Sequence, residues 1–487
     1  MGNPPGSLRD MRVALAVFGA QAALIYGVLL VPQDFLKAHT HVVYLAHYLL
    51  FLPFLFNARD RAAFLFSPSF LVVSYVCLSF TIGGFAFANG YVLFPKNLGD
   101  FRRWEHYNFA TFYFMMCNMC AIFAYFLARR GWPVSCPHHA ESSLQPYIPQ
   151  LVIGGILLGV FSVVRVGLSF LGGTGSISVV PRTFGALVIC VALVKSRWRY
   201  RFLIYAALLL LFAASQYGNR RIVLLLGLSV LFMEAAHLQD LRLSFRRVLT
   251  CVVVLALAVV LQMTMTIARG FDGFKGSYWQ TFTKIESFVG LKNVVAYSLK
   301  QTEGPTTFFH SYNGLNYVLN DPSLLCYGST LAKVMFIAVP RPVWPNKPKG
   351  MVDIYTSRWD PAFRNRGGST GINLYAEYFW NFHVLGILCV APIFYVLNRC
   401  FFFYLARLRA GNVWPFIYLG VGYNFLLLYA RGHGLDGFGV YVVFGLLVQW
   451  ILFNPLLSML SIRRRMNAYP REDRASSIVC DASVVYE

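Results

Sequence analysis

The sequence predicts an all-α membrane protein that crosses the bilayer about twelve times and carries one large external loop containing short helices. Three observations lead to this fold class. Of the 487 residues, 57% are hydrophobic and 13% are charged, whereas soluble domains carry about 25% charged residues; the mean hydropathy is +0.56. Apolar runs long enough to span a bilayer recur along the chain. Basic residues concentrate on alternate connections between these runs, which is typical of membrane proteins with a defined orientation.

The predicted spans are apolar runs, most of them about 17 to 25 residues long. The first run is long, lacks a small-residue cleavage site and is followed at once by further spans, so we interpret it as a retained helix rather than a signal peptide. The sixth and seventh runs are short. The twelve runs cover residues 12–31, 41–57, 68–89, 108–128, 147–170, 181–195, 201–217, 220–237, 247–268, 372–398, 412–430 and 437–461.

The distribution of charge predicts the orientation. The chain has a net charge of +22 and 42 basic residues, of which 21 lie on the connections that share a side with the N-terminus and 9 lie on the opposite short connections. The positive-inside rule therefore predicts that both termini are cytoplasmic. The other 12 basic residues lie between 269 and 371 with six acidic residues, which gives this segment a net charge of +6. Such a charge on an external loop favours an anionic partner.

The chain is accordingly divided into four parts. Residues 1–268 contain spans one to nine, 269–371 form the large external loop, 372–461 contain spans ten to twelve, and 462–487 form a cytoplasmic tail. Within the loop, the apolar run 329–339 is too short to cross a bilayer and predicts a short buried or re-entrant helix. The prolines of "PRPVWPNKPKG" that follow it exclude helix and favour a stiff, extended segment.

Basic residues recur at the predicted external ends of the helices and in the loop. Arginine presents paired donors to phosphate and stays protonated, so it is suited to holding a diphosphate. Trp344, in the proline-rich segment, suits a membrane interface or a sugar-binding surface. The candidate binding residues are Arg220, Arg221, Arg269, Arg341, Lys347, Arg366 and Arg431, with Trp344. Each pair alone is also explained by contacts with lipid headgroups or by solvation, and the prediction depends on their recurrence around one loop.

Glu377 is the least expected charged residue, because it is predicted to lie nearly two turns inside the tenth span. A carboxylate at that depth is costly unless it is paired or functional. We interpret it either as a general base, or a group that orients one, or as the partner of an arginine. His310 and His433 are further candidates for proton transfer. The sequence has no phosphate-binding Walker loop and no Asp-x-Asp pair, which predicts chemistry without metal, nucleotide or other cofactor.

Three segments together resemble the bacterial O-antigen and oligosaccharide repeat-unit polymerases of the Wzy type. They are "GNRR" after the seventh span, "VPRPVWPNKPKG" in the loop and "GGSTGINLYAEYFWNFHVLG" at the tenth span. The resemblance implies a GT-C-like helical bundle in the bacterial inner membrane, with the large loop in the periplasm. One departure is His383, where the resemblance leads us to expect a glycine.

The activity implied by the resemblance is a metal-independent glycosyl transfer. The growing glycan would move from undecaprenyl diphosphate to a hydroxyl of another undecaprenyl-diphosphate-linked repeat unit, in the assembly of lipopolysaccharide. The implied partners are these two lipid-linked oligosaccharides, the phospholipid membrane and a chain-length regulator, with no nucleic acid. Two alternatives stay open: an O-antigen ligase, which shares the donor but transfers the chain to lipid A core sugar, and a transporter of lipid-linked sugars, which the external position of the charges disfavours.

Overall fold

The computed structural model describes most of the N-terminal 215 residues and most of 303–439. The described residues are 8–57, 60–92, 95–130, 147–163, 179–196, 198–215, 227, 230, 303–336, 339, 343–409, 426–432, 434–435 and 439. All of them belong to one compact unit, Met1–Val440. Their regular secondary structure is entirely helical, as the sequence predicts.

The α-helices are numbered here in chain order. They are α1 Leu8–Leu30, α2 Gln33–Leu49, α3 Leu52–Asn57, α4 Arg61–Leu65, α5 Pro68–Ala88, α6 Pro95–Arg103, α7 Tyr107–Arg129, α8 Ile148–Val163, α9 Val179–Ser196, α10 Arg201–Ser215, α11 Glu303–Asn320, α12 Ser329–Ala332, α13 Met351–Trp359, α14 Pro361–Asn365, α15 Leu374–Phe382 and α16 Gly386–Arg409. Short 3₁₀ turns cover Pro322–Leu324, Lys333–Phe336 and His383–Leu385.

Five helical stretches in the described part of the chain are long and apolar enough to cross a membrane. They are Arg12–Leu30, Gln33–Leu55, Pro68–Ala88, Tyr107–Arg129 and Leu374–Arg407. They coincide with the first, second, third, fourth and tenth predicted spans. Helices α8, α9 and α10 coincide with the fifth to seventh. The eighth, ninth and twelfth predicted spans, and most of the eleventh, lie outside the described residues apart from a few positions.

The second span begins eight residues earlier than predicted, at Gln33 instead of residue 41. The polar residues Gln33 and Lys37 argue against an apolar span, but both donate to carbonyl groups at the C-terminal end of α6 or just after it. Gln33 donates through Nε2 to the carbonyl oxygen of Trp104, and the Lys37 ammonium donates to the carbonyl oxygens of Arg102 and Trp104 at 3.0 Å each. Because these partners come from residues about 65 to 71 positions away, the helix start cannot be predicted from local sequence.

Helix α11 comes from the segment that the sequence predicts as an external loop, yet it packs into the bundle. Twelve of its 18 residues are buried. Its aromatic face packs on α5 and α7: Tyr312 stacks against Tyr107 with ring centroids 4.8 Å apart and donates or accepts hydrogen bonds with Tyr44 and Thr111 at 2.8 Å each. Aromatic residues of α11 such as Phe308, Phe309 and Tyr312 are therefore part of the core, because the helical repeat brings them to the buried side of the helix.

The crossing of α11 and α5 depends on small residues. A Cβ atom added to Gly83 would lie 2.3 Å from Cβ of Phe308, and one added to Gly304 would lie 3.0 Å from Cγ2 of Ile82. Helices in membranes commonly approach through such small residues, because packing replaces the hydrophobic effect there.

We therefore expect Gly83→Ala to destabilise the protein. The added methyl group overlaps the base of the Phe308 side chain, so the two helices must move apart, at a cost of about 1 to 3 kcal/mol. Thermal unfolding of the detergent-purified protein measures this as a lower melting temperature. Gly27→Ala is the matched control, because a Cβ there meets nothing within 4 Å. Equal melting temperatures for both variants would contradict the close crossing.

The tenth span is broken where the sequence predicts one continuous helix over 372–398. Helix α15 ends at Phe382, and His383 has φ +54° and ψ −140°. Glycine adopts this conformation far more readily than histidine. The resemblance leads us to expect glycine at this position, and the backbone explains why a glycine would fit. The chain then continues as α16 to Arg409, eleven residues beyond the predicted end.

Candidate active site

Glu377 lies at the start of α15, and this corrects its predicted depth. The helix begins at Leu374, because Ile372 and Asn373 are non-helical and the Asn373 side chain accepts a hydrogen bond from the Ala376 amide at 2.9 Å. Glu377 is therefore in the first turn, not nearly two turns inside. The positive end of the helix dipole favours a carboxylate at such a position. The side chain is buried, with 1% of its surface exposed.

Two groups from distant parts of the chain donate hydrogen bonds to the Glu377 carboxylate. The Thr330 hydroxyl donates to Oε1 at 3.2 Å, and the backbone amide of Leu435 donates to Oε2 at 3.1 Å. The Asn381 amide donates to the Thr330 hydroxyl oxygen at 2.7 Å and to the Glu377 carbonyl oxygen at 2.8 Å. Thr330 and Asn381 are both fully buried. A buried carboxylate is thus oriented by hydrogen bonds, which reduces the cost of its burial.

The Leu435 amide reaches Glu377 because two glycine-containing segments cross in direct contact. A Cβ atom added to Gly371 would lie 1.7 Å from the carbonyl oxygen of Gly432, and one added to Gly432 would lie 2.2 Å from the carbonyl oxygen of Ile372. Gly432 also has φ +112°. These are backbone contacts that no side-chain rotation can relieve, so both positions require glycine.

An ion pair lies next to Gly432. The Arg431 guanidinium lies 2.9 Å from the Glu303 carboxylate at the start of α11, and both side chains are about a quarter exposed. Arg431 immediately precedes Gly432. The segment that supplies the Leu435 amide therefore also carries a guanidinium group, that of Arg431, and this group is partly exposed.

His310 lies in different surroundings from Glu377. It is 3% exposed, its Nδ1 lies 2.9 Å from the Tyr355 hydroxyl, and its ring packs edge-on against Trp359 with centroids 4.5 Å apart. Burial lowers the pKa of His310 to about 3, so the imidazole is neutral near pH 7 and a weak base. Tyr355 is itself fully buried.

The proline-rich segment folds back on the short helix that precedes it. Trp344 packs edge-on against Phe336 with centroids 5.1 Å apart. The Lys347 ammonium donates to the carbonyl oxygen of Val339 at 3.0 Å, and this side chain is 8% exposed. The described residues 343–350 are not helical, as the prolines predict. The helix predicted over 329–339 is present at Ser329–Ala332 and continues as a 3₁₀ turn to Phe336; among the described residues of this run, Thr330 alone is buried.

The remaining candidates divide into exposed residues and residues outside the described part. Arg366 is exposed at the end of α14. Arg364, two residues earlier, forms an ion pair with Asp353. The residues Arg220, Arg221, Arg269, Arg341 and His433 lie outside the described residues.

Sequence reasoning missed three residues of this site: Thr330, Asn381 and Glu303. Thr330 is a single hydroxyl in an apolar run, and Asn381 lies one helical turn after Glu377, which is the only sequence signal that connects them. Glu303 lies 128 residues before its partner Arg431, so nothing in the local pattern indicates the pair.

Comparisons of the chain with protein-family models, with curated proteins and with solved structures found no match.

Proposed function

We propose that this protein polymerises lipid-linked oligosaccharide repeat units, transferring the growing glycan from undecaprenyl diphosphate to a hydroxyl of a second lipid-linked repeat unit. The observation that carries the proposal is the buried Glu377 carboxylate, which is held by Thr330 and Leu435 beside the crossing of Gly371 and Gly432. Of the three segments with the polymerase resemblance, one contains Glu377 and Gly371. A second, around Trp344 and Lys347, packs against the short helical run that supplies Thr330.

In the proposed reaction, the bond between the anomeric carbon of the donor glycan and the diphosphate oxygen breaks, and the electron pair leaves with the diphosphate. The acceptor hydroxyl oxygen forms the new bond to that carbon and loses its proton. We assign the acceptance of this proton to Glu377, because hydrogen bonds from Thr330 and Leu435 orient its carboxylate. His433, two residues before Leu435, is the remaining candidate. General base catalysis contributes about 100-fold to 10,000-fold to such a step.

The diphosphate leaving group needs positive charge where it departs. Arg431 borders the Glu377 site and is partly exposed, and Arg341, Lys347 and Arg366 belong to the basic loop segment. Preorganised cations stabilise charge as it develops, and the loss of one such contact typically lowers the rate by about 100-fold to 1,000-fold. We therefore propose that these residues, with Arg220, Arg221 and Arg269, bind the diphosphates of the two substrates.

The number of membrane crossings and their orientation are part of the same proposal. The five described spans, together with the apolar runs elsewhere in the sequence, support about twelve crossings of the inner membrane. Both termini would be cytoplasmic, and the segment 269–371 would be periplasmic, with α11 packed into the bundle. This orientation puts the start of α15 at the periplasmic face, where lipid-linked repeat units are joined in the family that the sequence resembles.

The surface polysaccharide profile of a deletion strain tests the function. Loss of a polymerase leaves single repeats attached to lipid A core, so the ladder of long chains should collapse to one band. Complementation with the wild-type gene should restore the ladder. Long chains that are present but unattached would instead identify a ligase, and an unchanged ladder would contradict both and favour the transporter.

A further inference from the structure

A cleft separate from the Glu377 site opens between the start of α2, the end of α5 and α6. Its volume is about 520 Å³, and its lining includes Asp34, Lys37, Asn89, Phe101 and Arg102. The lining carries two positive charges and one negative charge. None of these residues has a role in the proposed transfer reaction.

Lys37 is the buried charge of this cleft. The side chain is 8% exposed, and its ammonium group is held by two backbone carbonyl oxygens, those of Arg102 and Trp104. Carbonyl groups orient the ammonium but do not neutralise it. Among the residues that the structure describes, neither Lys37 nor Arg102 forms an ion pair with a carboxylate. Burying charge is costly unless it is balanced. The Asp34 carboxylate, one helical turn before Lys37, also lines the cleft and interacts electrostatically with the ammonium, so it offsets one of the two positive charges. An anion bound in the cleft would offset the other.

Two exposed apolar rows lead away from the cleft. On α2, Val42, Leu45 and Leu49 follow Ala38 at intervals of four, three and four residues. On α5, Phe85, Ile82 and Leu78 lead back from Asn89 at the same intervals. Such spacing places each row on one face of its helix. These six apolar side chains are 38% to 52% exposed.

The rows belong to neighbouring helices. The His41 ring of α2 packs edge-on against Phe85 of α5, with centroids 5.5 Å apart. Both helices are among the apolar, membrane-length stretches, so the rows are suited to hydrocarbon chains. The cleft therefore lies at the head of two exposed apolar rows on adjacent helices, which is the arrangement that an amphipathic ligand with an anionic head and acyl chains requires.

We propose that this cleft binds the phosphate headgroup of an anionic lipid, with Lys37 and Arg102 contacting the phosphate and the acyl chains lying along the α2 and α5 rows. The rows favour a lipid over a free phosphate ion, because only a lipid carries acyl chains that pack on them while its headgroup occupies the cleft. The site does not depend on the proposed polymerase activity, because binding is measured without turnover.

Native mass spectrometry of the detergent-purified full chain tests this proposal. The probes are phosphatidylglycerol, zwitterionic phosphatidylcholine and inorganic phosphate. We expect phosphatidylglycerol to bind more tightly than phosphatidylcholine, and Arg102→Gln to weaken phosphatidylglycerol binding about tenfold, because a charge-assisted hydrogen bond to phosphate is lost. Arg103→Gln is the matched control: it removes the same charge from the next residue, which is exposed but does not line the cleft.

Lys37→Met should weaken binding at least as much as Arg102→Gln. Because Lys37 also supports the turn after α6, a folding defect in that variant leaves Arg102→Gln, an exposed position, as the deciding test. Equal losses in Arg102→Gln and Arg103→Gln would overturn the proposal in favour of diffuse attraction. Unchanged binding in Arg102→Gln would also overturn it, as would displacement of the lipid by equimolar inorganic phosphate.

Discussion

Glu377→Gln is expected to abolish the long-chain ladder and leave single attached repeats. Glutamine has the size of glutamate but is not basic, so the acceptor proton has no receiver, and the transfer rate should fall by about 100-fold to 10,000-fold. The substitution should be tolerated by the fold. The amide oxygen of the new side chain can accept from the Leu435 amide, and its NH₂ group can donate to the Thr330 hydroxyl oxygen.

The measurement is the polysaccharide profile of a deletion strain that expresses the variant at wild-type abundance, followed by the transfer rate of the purified protein in lipid nanodiscs. Glu105→Gln is the matched control, because Glu105 is an exposed carboxylate on the short connection between α6 and α7. The control should retain the full ladder. A full ladder in Glu377→Gln would show that the buried carboxylate has a structural role only.

Gly371→Ala is expected to remove both stability and activity. The new methyl group would lie 1.7 Å from the carbonyl oxygen of Gly432, so the two segments must separate. Overpacking of this kind costs about 1 to 3 kcal/mol, and we expect the upper end because backbone, not a side chain, has to move. Separation also withdraws the Leu435 amide from Glu377, which should disrupt the ladder even where the protein still folds.

The expected result is a lower melting temperature in detergent together with shortened polysaccharide chains. Gly19→Ala serves as the control, since a Cβ at that position of α1 meets nothing within 4 Å. A Gly371→Ala variant with the melting temperature and ladder of the wild type would show that the crossing at Gly432 is not needed to hold Glu377.

The local sequence accounts for the long helices well, for a direct physical reason. A bilayer requires an apolar run of a given length, and an isolated helix satisfies its own backbone hydrogen bonds. Helices α5 and α7 therefore lie within one residue of their predicted spans at each end. Helix α2 departs from its prediction, because the polar side chains of Gln33 and Lys37 are satisfied by carbonyl groups at and just after the C-terminal end of α6.

The candidate site was predicted in part. Glu377 is conspicuous from sequence, since a carboxylate in an apolar helix is rare. The prediction of its depth is wrong, because the Asn373 side chain caps α15 and the helix begins at Leu374. Arg431 was also identified, but its pairing with Glu303 was not. The groups that hold the carboxylate come from 47 residues before it and 58 residues after it in the chain, a separation at which local pattern carries no signal.

Composition and the pattern of apolar residues by themselves determined that this is a helical protein with several membrane-length helices. The length of an apolar run is a local property, which can be read from the sequence without knowledge of any tertiary contact. The tertiary structure alone decided that α11 packs inside the bundle, that Gly371 and Gly432 touch, and that Thr330 and Leu435 donate to Glu377. Each of these depends on contacts between segments far apart in sequence, and such contacts are set by shape and by the pairing of buried polar groups, which no single segment specifies.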